Sequence, residues 1–589
     1  MKLIKILFVL LIVSFNCFPQ NVMVTLDVKK EISKIHPLFF GLNVARWDES
    51  IFPSPTKDML LTCDRDAIKK VRDCGFKLLK YPGGNDADAY IWNDPNNNDS
   101  EMNTDEFAAF CKALDAEGFI TINFNQPPSL AAEWVRYCNI INNYKIKFWE
   151  VGDEQWGDWA KGHTTPEEYA KKYIEFVKAM KAVDPTIKVA INVKMENDPN
   201  GWTVRSLKTA KDYVDLITIT FYPVNTSQDE DEKFVLSTPK TFIKPYLDVK
   251  QAVKSIFPKE KADSIWVIPV GYNTVTGRPG SITVSIVNAL WVADLIGIMA
   301  NLGVEQTDYW ALHNAYPPRG GDYGLLTSDS SNTPHYNYYA IKLMSDRLKD
   351  KMIDVVSEDS LLSIYASKDN NGNFVTLFAI NKSKDKNKKV TINFKNFIPK
   401  NKCKSWYLGK EKKEIISDIL NFNNNNFSFD VQPYSIKVIE FESKEYLPPA
   451  ENLALKAKAS ASSYSIIGPN FLPKCANDGI KYTRWRSESW VKPRPDGEDK
   501  QWFQLEFPHE IDFNTIKIYW DYGYALIYKV LISDDGVNWK EIYSTNNGKG
   551  NLEELKFNKM KAKFIKLDLE KGTKAISTYN IEEIEVYNN

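Results

Sequence analysis

The sequence carries almost no net charge. Its 589 residues include 75 basic and 76 acidic side chains, which leaves a net charge of -1. Proteins that bind nucleic acid or an anionic membrane surface electrostatically concentrate positive charge, and this sequence has no such excess. We therefore expect neither nucleic acid nor an anionic membrane as a partner.

Cysteine and histidine are scarce. The seven cysteines are scattered without a CxxC pair, and the histidines show no ligand spacing. This pattern argues against a metal centre built from these residues. Most cysteines are expected to be buried thiols, and a disulfide between Cys63 and Cys74 or between Cys111 and Cys138 is the open alternative.

Long apolar runs are also missing, apart from one near the N-terminus. Residues 6–15 are mostly apolar and follow a short basic start, which is the pattern of a secretory signal peptide. The run is too short to span a bilayer comfortably. We expect a signal peptide over residues 1–20, secretion, and no membrane span. The two residues before Cys17 make it a poor lipoprotein cysteine.

Aromatic residues and alternating strands and helices are what the sequence does have. Aromatics make up 13% of the chain, and the surplus beyond a core suits stacking on the apolar faces of sugar rings. Strands and helices alternate up to residue 348, which predicts an α/β fold, a (β/α)8 barrel over residues 21–348. The eight strand candidates are 38–43, 77–81, 119–124, 146–151, 187–193, 214–221, 265–270 and 307–312.

The remainder of the chain reads as all-β. Residues 349–444 alternate with a period of two and predict an accessory antiparallel β-sandwich, which an early strand at 22–28 is expected to join. A proline-containing linker covers residues 445–451. Residues 452–589 then predict an independent β-sandwich of the jelly-roll kind.

Polar and aromatic residues gather at the predicted C-terminal ends of the barrel strands, where such barrels place their active sites. The most informative segment is 148–156 (FWEVGDEQW), a buried strand that ends in Asp153 and Glu154 beside Trp156. A carboxylic acid in that place suits protonation of a sugar's leaving oxygen. The amides and aromatics that end the other strands suit a sugar pocket.

Five motifs between residues 40 and 441 carry a family resemblance: 81–90 (YPGGNDADAY), 149–154 (WEVGDE), 272–274 (YNT), 310–314 (WALHN) and 432–435 (QPYS). The barrel resembles the secreted retaining glycoside hydrolases of the α-L-arabinofuranosidase type, in the clan of barrel glycosidases with acids on strands four and seven. The resemblance implies that Glu154 is the general acid. It also implies substrate contacts at Asn43, Tyr81, Gly84, Asn85, Asp153, Trp156, Thr220, Tyr222, Tyr272, Asn273, Trp310, His313 and Asn314.

Three positions depart from the family pattern. Asp153 replaces an asparagine that precedes the acid, and Thr220 replaces a histidine on the sixth strand. Gly271 stands where the family has its glutamate nucleophile on the seventh strand, so the nucleophile position is predicted to be vacant. An aspartate beside Glu154 is a like charge, which raises one pKa of the pair if both are buried.

Hydrolysis needs a second carboxyl group, about 5 Å from the acid for retention or about 6.5–9.5 Å for inversion. Adjacent strand residues point to opposite sides, so Asp153 and Glu154 reach one sugar only with a bulge. Asp86, Asp88 and Asp322 are further candidates on loops. Two hypotheses remain: an unconventional hydrolase without a catalytic cofactor, or a pseudoenzyme that binds polysaccharide or glycoconjugate glycan without cutting it.

The C-terminal segment resembles the discoidin-like, coagulation-factor type C modules, many of which bind carbohydrate. Its markers include 452–454 (NLA), 476–479 (ANDG), 483–485 (TRW), 501–505 (QWFQL) and 533–539 (SDDGVNW). The resemblance implies a structural calcium held by Asp478, Thr483 and Glu583, although a simple turn explains 478–479 equally well. It further implies sugar contacts at Trp485, Arg486, Trp490 and Tyr524, of which Trp485 fits a core position equally well.

Overall fold

The computed structural model describes fourteen stretches of the chain. These are residues 20–48, 65–94, 101–225, 231–277, 279–316, 321–329, 331–355, 358–422, 426–446, 450–466, 471–480, 483–488, 500–573 and 578–589. The predicted signal peptide with Cys17, and also Cys63 and Trp490, lie outside the described residues. The chain divides into two compact units, residues 1–446 and 447–589, and each is considered separately.

Eight parallel strands close into a barrel, which confirms the predicted fold class. Successive side chains alternate between the barrel interior, where Leu78 and Phe119 pack together, and the larger core shared with the helices, where Leu79 and Ile120 lie. The last strand ends three residues earlier than predicted. The strands are Phe40–Asn43, Leu78–Tyr81, Glu117–Ile122, Phe148–Val151, Lys188–Asn192, Leu216–Phe221, Trp266–Tyr272 and Thr307–Tyr309.

Helices connect the strands, and one shows how the local sequence sets its start. The Thr165 side chain accepts a hydrogen bond from the Glu168 N–H while the Glu168 carboxylate accepts one from the Thr165 N–H, with Pro166 as first helical residue. The α-helices are Arg65–Asp73, Thr104–Leu114, Pro128–Val135, Pro166–Val183, Trp202–Ala210, Glu232–Ser237, Ile243–Ile256, Lys259–Ser264, Ile286–Asn301 and Tyr336–Arg347. A π-helical segment, Arg136–Ile141, extends the third helix.

The helix Ile286–Asn301 is apolar on nearly all sides because it is covered on nearly all sides. It packs between the barrel and the accessory sandwich and contributes one buried charge, Asp294. The Lys382 ammonium lies 2.7 Å from the Asp294 carboxylate, which also accepts a 2.6 Å hydrogen bond from the Tyr365 hydroxyl. The barrel and the sandwich therefore share a paired buried charge as well as apolar contacts.

The accessory sandwich consists of two sheets. The early strand Gln20–Asp27 pairs in parallel with Lys388–Lys395. The three-stranded sheet contains Gln20–Asp27, Lys388–Lys395 and Asn426–Val431. The seven-stranded sheet contains, in spatial order, Lys412–Asn421, Pro399–Gly409, Ser435–Ser443, Phe374–Asn381, Leu362–Lys368, Lys351–Ile353 and Glu31–Lys34.

The second unit is all-β and has its own hydrophobic core, in which Trp485, Phe503 and Tyr528 are buried. Its two longest strands carry register shifts where they pair, which bends the sheet. The strands are Lys458–Ala461, Trp485–Arg486, Gln501–Trp520, Ala525–Ser533, Lys540–Thr545, Leu552–Gly572 and Asn580–Tyr587.

The cysteines of the described residues are free thiols. Cys111 and Cys138 are both buried and unpaired, so the disulfide considered between them is wrong. Cys74 is likewise a buried free thiol. Among the helices of the described ranges, none combines the length and the apolar character that a membrane span needs.

Candidate active site of the barrel and binding sites of the terminal unit

A cavity of about 930 Å³ opens at the C-terminal ends of the barrel strands. Most of the residues that the sequence places at the site line it. They are Asn43, Gly84, Asn85, Asp153, Glu154, Trp156, Thr220, Tyr222, Gly271, Trp310 and Asn314. Trp47, Trp159 and Tyr323 add further aromatic surface, which the sequence argument did not single out.

The turn after the fourth barrel strand brings two neighbouring carboxyl groups to the same cavity. Gly152 and Glu154 have φ values of 68° and 55°, so the chain leaves the extended conformation that would separate the two side chains. Both Asp153 and Glu154 line the cavity as a result. Asp153 and Glu154 can reach one cavity only through a local distortion of the strand, and the left-handed residues Gly152 and Glu154 provide it.

Asp88 holds this turn in place. Its carboxylate accepts hydrogen bonds from the Phe124 N–H at 2.9 Å, the Asp153 N–H at 3.0 Å and the Gln155 side-chain amide at 2.5 Å. Burial raises the pKa of Asp88 to about 7, against the effect of these donors. Asp88 thus supports the turn from behind, and it does not line the cavity as a second carboxyl group would.

Glu154 is held by three donors. One carboxylate oxygen accepts a 2.5 Å hydrogen bond from the Thr220 hydroxyl, and the other accepts one from the Trp159 indole N–H at 2.8 Å. The Asn85 amide lies at 3.5 Å from the second oxygen. Trp159 is 58% exposed, so it forms a rim that combines an apolar ring face with a contact to the acid. This environment fixes the carboxyl group and leaves it open to the cavity.

Asp153 has a different environment. It is buried, and within the described residues no group donates a hydrogen bond to its carboxylate. Burial raises its pKa well above the ordinary value; Lys80 opposes this effect, while Glu154 and Glu150 add to it. Asp153 is therefore a carboxyl group with free hydrogen-bonding capacity that faces the cavity.

A buried ion pair that was not predicted from the sequence joins the second and fourth barrel strands. The Lys80 ammonium is 3.0 Å from the Glu150 carboxylate, and both side chains are almost fully buried. The Thr121 hydroxyl donates a 2.7 Å hydrogen bond to Glu150. Lys80 also lines the cavity. The sequence did carry a signal for this pair. Each of the two otherwise apolar strands contains one charged residue, and a charge is buried in a barrel only with a partner.

Gly271 leaves a gap that Tyr222 borders. A Cβ atom at Gly271 would lie 2.9 Å from the Tyr222 hydroxyl oxygen and 3.5 Å from the Thr220 methyl carbon. The strand is irregular here, because Ile219 pairs with Pro269 while Thr220 pairs with Gly271. The Tyr222 hydroxyl therefore stands beside the place where a nucleophile's side chain would begin.

Four predicted substrate contacts do not line the cavity. Tyr81 is fully buried and donates to the Met102 carbonyl at 2.6 Å, and Tyr272 is buried with its hydroxyl 3.4 Å from that of Thr307. The Asn273 side-chain amide donates to the Trp310 carbonyl at 2.7 Å. These three residues shape the cavity wall from behind, because their polar groups are used within the protein.

His313 is the fourth predicted substrate contact that does not line the cavity. Its two ring nitrogens lie 2.8 Å from Asp48 and 2.8 Å from Asn332, and the side chain is buried away from the cavity. Burial lowers the pKa of His313, but the contacts with Asp48 and Asn332 outweigh this effect and leave the pKa raised.

The loop carboxylates that the sequence suggested as a second acid take different places. Asp86 lines the cavity. Asp322 does not line it, and its carboxylate accepts a hydrogen bond from the Gly324 N–H at 2.7 Å.

In the terminal unit, two predicted sugar contacts take structural places. Trp485 is fully buried and donates to the Ser463 carbonyl at 2.9 Å, so the core interpretation is right. Tyr524 is partly buried, and its ring packs closely against Gly550. Arg486 is half-buried with its guanidinium 5.5 Å from the Phe471 ring centroid. Trp490 lies outside the described residues.

The oxygen atoms expected to hold calcium come together. The Thr483 hydroxyl is 2.9 Å from both carboxylate oxygens of Asp478, and Glu583 accepts the Gly479 N–H at 3.1 Å. The other carboxylate oxygen of Glu583 is buried without a hydrogen-bond partner, and burial raises the pKa of this group to about 7. An orphaned buried carboxylate oxygen beside a second carboxylate fits a hard cation. The described residues contain no group of three or more His, Cys, Asp or Glu side chains placed to bind a metal.

A family model identifies the terminal unit. The F5/8 type C domain model matches residues 458–584. Those residues are therefore an F5/8 type C domain, as the sequence resemblance implied.

Part of the chain is similar in sequence to curated arabinofuranosidases. One match, to a probable alpha-L-arabinofuranosidase C of Aspergillus clavatus, is 30% identical over 159 residues. This alignment covers 22% of this chain and 32% of that protein. A second match, to an intracellular exo-alpha-(1->5)-L-arabinofuranosidase of Acetivibrio thermocellus, is 27% identical over 245 residues. This alignment covers 35% of this chain and 49% of that protein. The matches span about a third to a half of these relatives.

Solved structures share the fold. The alpha-L-arabinofuranosidase of Thermotoga maritima aligns with a TM-score of 0.61 at 22% identity, over 72% of this chain and 100% of that one. A xyloglucanase of Paenibacillus polymyxa aligns with a TM-score of 0.56 at 15% identity, over 72% of this chain and 100% of that one. About seven tenths of this chain thus shares its fold with these solved structures.

Proposed function

We propose that the barrel is a secreted glycosidase that acts on arabinofuranosides or a related glycan, with Glu154 as the general acid. The observation that carries the proposal is the placement of Glu154. It stands at the C-terminal end of the fourth barrel strand, in an aromatic-lined cavity, with Thr220 and Trp159 fixing its two oxygens. The names of the curated relatives support arabinofuranosides as the first substrates to test.

The test is hydrolysis of aryl α-L-arabinofuranosides by the full chain and by Glu154→Gln. Loss of the acid is expected to lower turnover by several orders of magnitude, because removing one member of a catalytic unit disables it. Glu260→Gln is the matched control, since Glu260 is an exposed residue of the helix that precedes the seventh strand. Equal activity of wild type and Glu154→Gln would refute the assignment of the acid.

Azide or formate probes the gap at Gly271. A small anion that enters the gap can attack the anomeric carbon in place of a side-chain carboxylate. Rescue of activity by these anions would mean that the acid works and that the gap is a vacant nucleophile position. Turnover without added anions, lost in Glu154→Gln, would mean that another group supplies the nucleophile.

A binding function without turnover is the second candidate, and Gly271 favours it. The glycine presents no carboxyl group to the cavity, although the aromatic lining persists. Full-chain protein that binds arabino-oligosaccharides in calorimetry but hydrolyses no glycoside, with or without azide, would establish the pseudoenzyme.

We further propose that the F5/8 type C domain binds glycan and holds calcium through Asp478, Thr483 and Glu583. The ion would stabilise the loops that carry these residues and neutralise the buried carboxylate of Glu583. The buried Glu583 oxygen without a partner supports this assignment. Retention of the full chain on immobilised polysaccharide, compared with calcium present and after chelation, tests both parts.

A further inference from the structure

The cavity at the mouth of the barrel is larger than a single sugar requires. Its volume is about 930 Å³. A pentose has about ten non-hydrogen atoms, and at the ~30 Å³ that one molecule occupies in liquid water, ten such atoms fill roughly 300 Å³. The cavity therefore has room for roughly three sugar residues.

Tryptophans lie on two opposite sides of this cavity. Trp156 and Trp159 follow the fourth barrel strand, whereas Trp310 directly follows the eighth strand and Trp47 comes shortly after the first. In the closed barrel the eighth strand neighbours the first and stands four places from the fourth in either direction. The Trp47–Trp310 pair therefore lies across the mouth of the barrel from Trp156 and Trp159.

The protein fixes the Trp47–Trp310 pair through the polar edges of the two rings. The Trp47 indole N–H donates to the His313 carbonyl at 2.8 Å, and the Trp310 indole N–H donates to the Asn314 side-chain carbonyl at 3.0 Å. The ring centroids are 6.3 Å apart, and a Cβ atom at Gly84 would lie 2.9 Å from the Trp310 ring. Because both N–H groups are used, the pair offers the cavity apolar ring surface, which suits stacking on a sugar.

The loop that carries Trp47 is held in place from below. The Asp48 carboxylate accepts a hydrogen bond from the Ala45 N–H at 2.6 Å and lies 2.8 Å from a ring nitrogen of His313. Ala45 and Asp48 are fully buried, whereas Trp47 between them is 37% exposed. A fixed aromatic ring that stays partly exposed in the wall of a cavity is typical of a ligand contact.

The position of Glu154 indicates which part of a glycan meets each wall. A general acid gives its proton to the leaving oxygen, so the leaving part of the chain lies on the side of the acid. Trp159 donates to the Glu154 carboxylate at 2.8 Å and therefore stands on that side. The cleaved sugar, and any sugar that precedes it in the chain, extend away from the acid toward the Trp47–Trp310 pair.

We propose that Trp47 binds the sugar that precedes the cleaved one, so that the barrel cuts internal linkages of a glycan chain rather than removing single terminal sugars. The inference rests on the proposed glycosidase with Glu154 as its acid, and it adds the class of substrate, a chain that continues on both sides of the bond. Trp310 then contacts the cleaved sugar, and Trp47 continues the same apolar wall outward.

Two aryl glycosides with the same leaving group test this subsite on the full chain. The aryl α-L-arabinofuranoside places one sugar on the side of Trp47, and the aryl glycoside of α-1,5-linked arabinobiose places two sugars there. The bioside is expected to release the phenol with a kcat/KM about tenfold higher, because about 1.4 kcal/mol of binding to the added sugar lowers the barrier.

Variants of Trp47 test whether this residue causes the difference. Trp47→Ala is expected to remove the advantage of the bioside over the arabinofuranoside, and Trp47→Phe, which keeps an aromatic ring, is expected to retain part of it. Glu260→Gln is the control, and its ratio of the two kcat/KM values should equal that of wild type. A ratio that Trp47→Ala and Trp47→Phe both leave unchanged overturns the inference.

The products from a longer chain provide a measurement that needs no variant. Wild type is expected to convert linear α-1,5-linked arabinohexaose first into shorter oligosaccharides without free arabinose. Arabinose as the first product, or equal kcat/KM values for the two aryl glycosides, overturns the inference and leaves the glycosidase intact. If wild type hydrolyses neither aryl glycoside, the proposed glycosidase itself fails, and the inference fails with it.

Discussion

The contacts around Gly271 allow a quantitative prediction about stability. Gly271→Ala is expected to destabilise the protein when Tyr222 is present and to stabilise it when Tyr222 is replaced by phenylalanine. A Cβ atom at residue 271 would lie 2.9 Å from the Tyr222 hydroxyl oxygen, while ordinary contacts begin at about 3.4 Å. Gly271→Ala therefore forces the phenol to move by about half an ångström. Pushing a side chain off its preferred rotamer costs about 0.5–1.5 kcal/mol, so we expect a loss of roughly 1 kcal/mol.

The Tyr222→Phe background removes the offending oxygen. The nearest remaining atom to the new methyl group is then the Thr220 methyl carbon at 3.5 Å, which is an ordinary contact. The φ angle of Gly271 is not in the left-handed region, so alanine fits and reduces the entropy of the unfolded chain. In this background Gly271→Ala is expected to stabilise the protein by about 0.4–1 kcal/mol. The coupling between the two substitutions is thus about 1.4–2 kcal/mol.

The assay is urea unfolding of the four proteins of the cycle, followed by a signal of the first unit. Tyr323→Phe is the control background, because the Tyr323 hydroxyl also borders the cavity but donates to the Gly277 carbonyl at 2.7 Å and is not among the atoms nearest to the Cβ position at Gly271. There Gly271→Ala should cost the same as in wild type. An equal cost of Gly271→Ala in the wild-type and Tyr222→Phe backgrounds would refute the packing argument.

Four further predictions address other parts of the molecule. Asp294→Asn leaves Lys382 buried without its counter-charge and is expected to lower the unfolding free energy by about 3–5 kcal/mol in urea titrations; joint replacement of both residues by apolar ones should recover most of that loss. Burial raises the pKa of Asp308 in the folded protein to about 7, so the folded state binds the proton more tightly than the unfolded state does. The stability that this contributes is fully present below the ordinary pKa of an aspartate and is lost as the pH rises to about 7. The melting temperature should fall between pH 5 and pH 8, because about two pH units of the shift lie above pH 5 and correspond to about 2.7 kcal/mol of stability. Asp308→Asn should flatten the profile. Trp159→Ala is expected to weaken glycan binding about tenfold in calorimetry, whereas Trp159→Phe keeps the stacking face and should lose less. Calcium at a hundredfold excess over its Kd is expected to stabilise the terminal unit by about 2.7 kcal/mol in calorimetric scans, and a calcium response that persists in Glu583→Gln would contradict the assignment.

Regular elements were predictable where local sequence and burial agree. The capping residues Thr165 and Glu168 with Pro166 set the start of a helix from contacts within four residues. The barrel strands were visible as short apolar runs, because parallel strands buried on both faces lose the alternation of polar and apolar residues. These features depend on neighbours in the chain, which the sequence displays.

The site was predictable only in outline, because its details depend on contacts between distant strands. Glu154 and Gly271 could be located from motifs, but the position of the Tyr222 hydroxyl beside Gly271 depends on how two strands are offset. The pairing of Lys80 with Glu150 could not be predicted, because the two residues lie on different strands that the fold brings together. His313 follows the eighth strand closely, as a pocket residue would, yet Asp48 and Asn332 hold it inside the protein.

The parallel pairing of Gln20–Asp27 with Lys388–Lys395 has a consequence for how the chain is made. During synthesis the early strand leaves the ribosome long before its partner, and the whole barrel is translated in between. The strand must therefore remain unpaired, with an open hydrogen-bonding edge, until residue 395 has emerged. Completion of the accessory sandwich is accordingly a late event of biogenesis.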